Sequence, residues 1–227
     1  MDPRPRLTND PDLAATTFAV IDFEATTPAG ARPEPIDVAA IQLRLTGGKW
    51  VQADRFSQLM RPPQHAPVTP FDTAQTGITP QMAAAAEPAA VVLAALDAAF
   101  ASDQPCLLVA HHASTEAGML HDYREHCPNL AHTDLLDTVR LARVLYPQLP
   151  SHKLDTLLAH LGIPQPPGRH RALPDVQVTA ELFCQMLAYA DTSLIWASLR
   201  DMRRAGLLVA KANRPRQDGL FDAGTLS

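Results

Sequence analysis

Thr17-Phe18-Ala19-Val20-Ile21-Asp22-Phe23-Glu24 is an apolar run interrupted near its end by carboxylates at alternate positions. Its apolar, β-branched and aromatic content predicts a β-strand, and successive side chains of a strand point to opposite faces, so Asp22 and Glu24 share one face. Two anions side by side against a core are costly. Each raises the pKa of the other, and one bound divalent cation offsets both. The pair therefore reads as a candidate metal site. The plainer alternative is a strand end running into solvent with two ordinary exposed acids, and a lone D-x-E pair does not exclude it.

Working outward, the residues before the strand, 1–15, are proline-rich and polar and are expected to form a flexible arm. After a Thr/Pro/Gly/Ala loop over 26–35, strands are expected at 36–45 and 50–60. The paired glycines of Thr46-Gly47-Gly48-Lys49 suit a hairpin turn between them. A long loop over 61–80 contains Thr76-Gly77-Ile78. An alanine-rich helix after Pro88 leads to a short apolar run at 106–110, which reads as a buried parallel strand. Helices are expected at 116–125, 135–145, 153–161, 173–189 and 193–205. The fold class is α/β, three antiparallel strands followed by parallel strands and flanked by helices. The organisation is an arm over 1–15, one domain over 16–206 and a flexible tail over 207–227.

Composition narrows the function classes. The chain has 227 residues, 46% of them hydrophobic and 19% charged, as in an ordinary globular protein. Cys106, Cys127 and Cys184 give an odd count without C-x-x-C spacing, so neither a disulfide framework nor a zinc ribbon is suggested. No apolar stretch is long enough to span a membrane and no secretory signal is visible, so a cytoplasmic protein without a membrane partner is expected. A net charge of −5 argues against coating nucleic acid by bulk electrostatics but permits an enzyme that grips a strand end through metal ions.

Two further acids join the pair. Glu116 follows the apolar run at 106–110 through His111-His112-Ala113-Ser114-Thr115, where α/β sheets place their sites. A helix dipole also favours an acid in a first turn, which is the structural alternative. Asp175 begins another helix with Pro174 beside it, and His170 lies in the loop before, where a mobile general base can swing over a ligand fixed on the helix. Arg169 and Arg171 flank His170 as phosphate contacts or as solvated loop charges. His111, His121 and His126 match no zinc spacing.

In order and spacing, Asp22-Phe23-Glu24, Val109 to Glu116, and His170-x4-Asp175 together resemble the three motifs of the DnaQ-like (DEDDh) 3′–5′ exonucleases of the ribonuclease H-like superfamily. The resemblance implies two Mg²⁺ or Mn²⁺ ions held by Asp22, Glu24, Glu116 and Asp175, with His170 as general base, since imidazole titrates near neutral pH. It also implies contacts from Phe23, Thr76, Gly77, Ile78 and His112 to a nucleic-acid 3′ end, DNA or RNA, and release of nucleoside 5′-monophosphates. Three residues depart from the family pattern. His112 and Glu116 stand where relatives carry Asn and Asp, and Ala25 replaces a common threonine. The longer Glu116 side chain supports the rival reading, a weakly active or inactive module that binds strand ends or a partner. Gln217-Asp218-Gly219-Leu220-Phe221 resembles the short peptide by which bacterial replication proteins dock on the sliding clamp, with Gln217, Leu220 and Phe221 as its fixed positions.

Overall fold

The computed structural model describes residues 5–30, 32–168 and 170–214. A short helix α1 (Pro11–Ala15) precedes β1 (Thr17–Ala25), β2 (Pro35–Thr46) and β3 (Lys49–Arg61). Helices α2 (Pro70–Thr76) and α3 (Pro80–Ala85) lead to the two-residue β4 (Glu87–Pro88) and to α4 (Ala89–Phe100). Then follow β5 (Cys106–Ala110), α5 (Ser114–Asp122), α6 (Pro128–His132), β6 (Leu135–Asp137), α7 (Thr138–Leu145), α8 (Leu154–Leu161), α9 (Ala172–Thr192), α10 (Leu199–Gly206) and β7 (Leu207–Leu208).

The strands form one mixed sheet in the order β4-β3-β2-β1-β5-β6-β7. Strand β1 pairs antiparallel with β2 and parallel with β5, so the sheet changes character at β1. The β2–β3 hairpin closes on Gly47 and Gly48, both with positive φ, as a two-residue type I′ turn requires.

Strand parity divides the core. Phe18, Val20, Leu107, Val109 and Leu136 pack under α7, α8 and α9, whereas Ala19, Ile21, Phe23, Leu108 and Leu135 pack under α4, α5 and α6. Asp22 and Glu24 continue the parity of Phe18 and Val20 and so lie on the α9 side of the sheet.

The mixed α/β sheet expected from the sequence is present. Several local expectations differ. The loose arm expected over 1–15 is packed from residue 7: Leu7 and Leu13 are fully buried, Thr8 N donates to Asp191 at 2.8 Å and Leu199 N donates to Asp10 at 2.6 Å. The helix expected at 135–145 is strand β6 followed by α7, since three strand residues give no readable period and Asp137 caps the helix by accepting from Val139 N at 2.9 Å. The loop over 61–80 holds α2, fixed by a capping box between Thr69 and Asp72. In the tail expected from 207, Leu208 and Ala210 are buried. Among the described residues no helix is long and apolar enough to cross a membrane.

Candidate active site

Strand β1 runs beyond its parallel neighbour: Val20 pairs with Val109, β5 ends at Ala110, and Asp22 and Glu24 stand past that end. A bulge between Glu24 and Ala25 then turns the chain out of the sheet. Three residues after β5 the first turn of α5 brings in Glu116, and the first turn of α9 brings in Asp175. Both are buried, at 3% and 7% exposure. Ligand atoms of Glu24, His170 and Asp175 lie within 4.8 Å of one another, a grouping able to hold a metal ion.

Electrostatics ties Asp22 to the same cluster. Burial pushes its carboxyl well above the ordinary carboxylate range, and the charges of Glu116, Glu24, Asp175 and Asp37 push it further. Burial likewise raises Glu116 to about 8, with Asp137 and Glu24 adding to the effect. Asp22 Oδ2 and Glu116 Oε2 are both buried without a hydrogen-bond partner among the described residues. A protein does not leave carboxylate oxygens so without cause, because an unmet buried acceptor costs about 1–3 kcal/mol and a charged one more. Divalent cations held at the cluster would offset such oxygens and reverse its pKa logic. The donor set is hard oxygen with one imidazole, which suits a hard divalent cation.

One acid was not singled out in the sequence. Asp37, on β2 opposite Glu24, is 2% exposed and accepts from Arg171 Nε at 2.8 Å and from Ala172 N at 3.4 Å. Burial raises the Asp37 carboxyl, opposed by the Arg171 guanidinium. Arg171 is thus committed to an internal ion pair, the residue next to His170 and the N-cap of α9. The readable signal was an acid inside the apolar run Ile36-Asp37-Val38-Ala39, which demands a buried cation. His170 itself has φ 63°, and His112 has φ 64°. Left-handed backbone at non-glycine residues costs on the order of 1 kcal/mol or more and concentrates at functional sites.

The other expected substrate contacts divide. His112 is exposed at the mouth of α5, its ring 5.0 Å from that of His111, whose Nδ1 lies 2.8 Å from Thr138 Oγ1. Phe23 packs in the core under α4, on the face opposite Asp22. Ile78 is fully buried beside Ile36, Val68 and Ala83, and Thr76 Oγ1 donates to Asp72 O at 2.8 Å. Of that loop only Gly77 faces open space, with φ 72°. The loop is nevertheless tied to the exit of β1, because Thr27 N and Oγ1 donate to Asp72 Oδ1 at 3.0 and 2.6 Å. Arg169, Gln217, Leu220 and Phe221 lie outside the described residues.

A model of the exonuclease (RNase T) family matches residues 19–183, which include all four acids and His170. The chain belongs to this family of DnaQ-like exonucleases. A DNA polymerase III PolC-type protein of Oceanobacillus iheyensis is 34% identical over 184 residues, covering 78% of this chain and 12% of its own length. The DNA polymerase III subunit epsilon-like protein of Rhodobacter capsulatus is 32% identical over 207 residues, covering 88% of this chain and 28% of its own. The chain thus spans less than a third of either relative. Exonuclease X, solved in complex with 5′ overhanging duplex DNA, is 25% identical with a TM-score of 0.58, covering 83% of this chain and 98% of that one. The nuclease domain of 3′hExo, solved with rAMP, shares the fold at 21% identity and a TM-score of 0.65, covering 77% of this chain and 93% of its own. DEDDh exonucleases are divalent-metal dependent.

Proposed function

We propose that this exonuclease domain removes nucleoside 5′-monophosphates from the 3′ ends of DNA, with Mg²⁺ or Mn²⁺ as its metal. The observation that carries the reading is the convergence of Asp22, Glu24, Glu116 and Asp175 at one sheet end, with two buried carboxylate oxygens unmet by protein donors. These four acids would hold two cations, which when bound make water a nucleophile at neutral pH and offset charge on the attacking and leaving oxygens. His170, beside Glu24 and Asp175, would take the proton of the attacking water. The Asp37–Arg171 pair would hold the His170 loop against β2. Gly77 would let the terminal nucleotide approach the backbone, and exposed His112 would meet the strand beside it.

DNA is favoured over RNA because the two curated relatives are DNA polymerase III proteins and exonuclease X was solved with DNA. Proofreading or repair follows as the setting. The Gln217-x-x-Leu220-Phe221 peptide would dock the chain on a bacterial sliding clamp. A pull-down with the clamp tests this: equal retention of wild type and the Leu220→Ala, Phe221→Ala double variant removes it. For the catalytic reading, the purified chain is given 5′-labelled single-stranded DNA and RNA with Mg²⁺ or Mn²⁺. A ladder shortening from the 3′ end, lost in Asp22→Ala, is expected. Absence of cleavage by a folded protein under every metal would overturn it.

A further inference from the structure

A protein of net charge −5, with four carboxylates at its site, must hold a polyanion, and metal ions can neutralise only the phosphate being cleaved. The strand behind that phosphate needs fixed cations close to the carboxylates.

The outer flank of α5 supplies them. A groove of about 510 Å³ runs along the helix face opposite Glu116, lined among others by Arg32, Ser114, Thr115, Gly118, Asp122 and Lys211. Ser114 and Thr115, at the head of the groove, immediately precede Glu116 in the chain, so the groove opens about one helix diameter, roughly 10 Å, from the acidic cluster. Two cations reach it from remote parts of the chain. Arg32 comes from the loop after β1 and is 83% exposed, with its guanidinium 3.5 Å from Asp122 at the far end. Lys211 comes from the 3-10 turn Lys211–Asn213 after β7 and is half-buried.

Lys211 rests against bare helix backbone at Gly118. A Cβ built there would lie 3.0 Å from Lys211 Nζ, so a methyl group would push the ammonium outward by a few tenths of an ångström. Among the described residues no carboxylate pairs with that ammonium, although it is partly withdrawn from water. A helix-interior glycine is unfavourable on its own account, which makes Gly118 a feature in need of a reason. The hydroxyls of Ser114 and Thr115 stand on the same exposed flank and add neutral donors.

We propose that this groove binds the phosphodiester backbone of the DNA strand upstream of the scissile 3′ linkage, with Lys211 and Arg32 as its phosphate contacts and Gly118 as the seat of Lys211. The inference rests on the exonuclease reading for its substrate class. The contacts are to phosphate and carry no base specificity. They set how firmly a strand is held, not how fast a bound linkage breaks.

The test compares wild type with Lys211→Ala, Arg32→Ala and Gly118→Ala in the full chain, using two substrates. Thymidine 5′-(p-nitrophenyl phosphate) needs only the acidic cluster, whereas an oligothymidylate also needs the groove. Turnover of the small ester should stay within about twofold for all variants, while KM for the oligonucleotide rises about threefold to tenfold with kcat little changed. Binding is read separately by fluorescence anisotropy of a phosphorothioate oligothymidylate in Ca²⁺, where Lys211→Ala should lower the slope of log K against log salt by about 0.7. Gly118→Ala should melt at or above the wild-type temperature yet bind less tightly, an outcome that damage to the fold cannot produce. Unchanged oligonucleotide KM and salt slope in Lys211→Ala and Arg32→Ala, with ester turnover intact, would overturn the groove. If wild type turns over neither substrate, the catalytic reading fails, and the anisotropy comparison still decides the groove.

Discussion

Replacing Glu116 by Gln should change how the metal-free protein responds to pH. Glu116 is buried, and its carboxyl is raised from 4.5 to about 8. Between those values the folded protein holds a proton that the unfolded chain releases, so folding stability falls as pH rises and the loss is complete above about 8. The interval, at about 1.4 kcal/mol per pH unit, sets a ceiling near 5 kcal/mol. About 3 kcal/mol of it should develop between pH 5 and pH 8. Gln keeps the shape and has no proton to lose, and it also relieves Asp22 of its strongest neighbouring charge. The assay is urea unfolding of both proteins in EDTA across that range. Groups remote from the cluster contribute alike in both proteins and cancel in the difference. The wild-type midpoint should fall relative to Glu116→Gln by about 1 M urea or more. Parallel midpoints at every pH would refute the claim that a buried, protonated Glu116 carries this linkage.

Metal addition should show the converse: Mn²⁺ must displace protons from Asp22 and Glu116, so its gain in melting temperature should be larger at pH 8 than at pH 6 in differential scanning fluorimetry, and equal gains would count against these residues as ligands. His170→Ala should lower kcat on oligonucleotide by roughly 10²–10⁴-fold, with the Mn²⁺ thermal shift largely retained because the carboxylates remain. Arg171→Ala leaves Asp37 buried without its cation and should destabilise the fold by about 3 kcal/mol in urea; Arg171→Lys should recover part of the stability but less of kcat, because the Nε contact also orients the His170 loop. Gly77→Ala should cost about 1 kcal/mol from its positive φ alone, since nothing stands where the methyl group would go.

The parts legible in the sequence were those set by strand parity and by helix starts. Asp22 and Glu24 interrupt an alternation that otherwise reads as core, and Asp175 follows a proline at the first turn of a helix; both signals are local. By the same parity Phe23, between two acids on a strand, faces the opposite core. Thr76 and Ile78 have side chains consumed by their own loop, which depends on Asp72 and Ile36 and shows in no short window. The burial of Leu7 and Leu13 rests on contacts with partners far along the chain, as the bonds from Thr8 to Asp191 and from Leu199 to Asp10 illustrate. Proline-rich composition hid that packing. Strand β6 was hidden in turn because Leu135 to Asp137 is too short to declare a period and is defined by its register on β5.

The topology explains why a two-residue alternation points to the sheet end where the acids gather. β1 has an antiparallel neighbour on one side and a parallel neighbour on the other, and it outruns the parallel one by several residues. The polypeptide leaving β5 must therefore turn into α5 beside the exposed end of β1, and its first helical acid arrives there whatever its length. α9 packs against β1 and β2 on the face that Asp22 and Glu24 share, so its first turn supplies the remaining acid. Convergence is thus fixed by strand order, and the side chains only tune it. On that reasoning the extra methylene of Glu116, relative to an aspartate, alters the reach of one carboxylate within a preset frame. The burial of its Oε2 without a partner argues that the frame still delivers the carboxylate to the cluster.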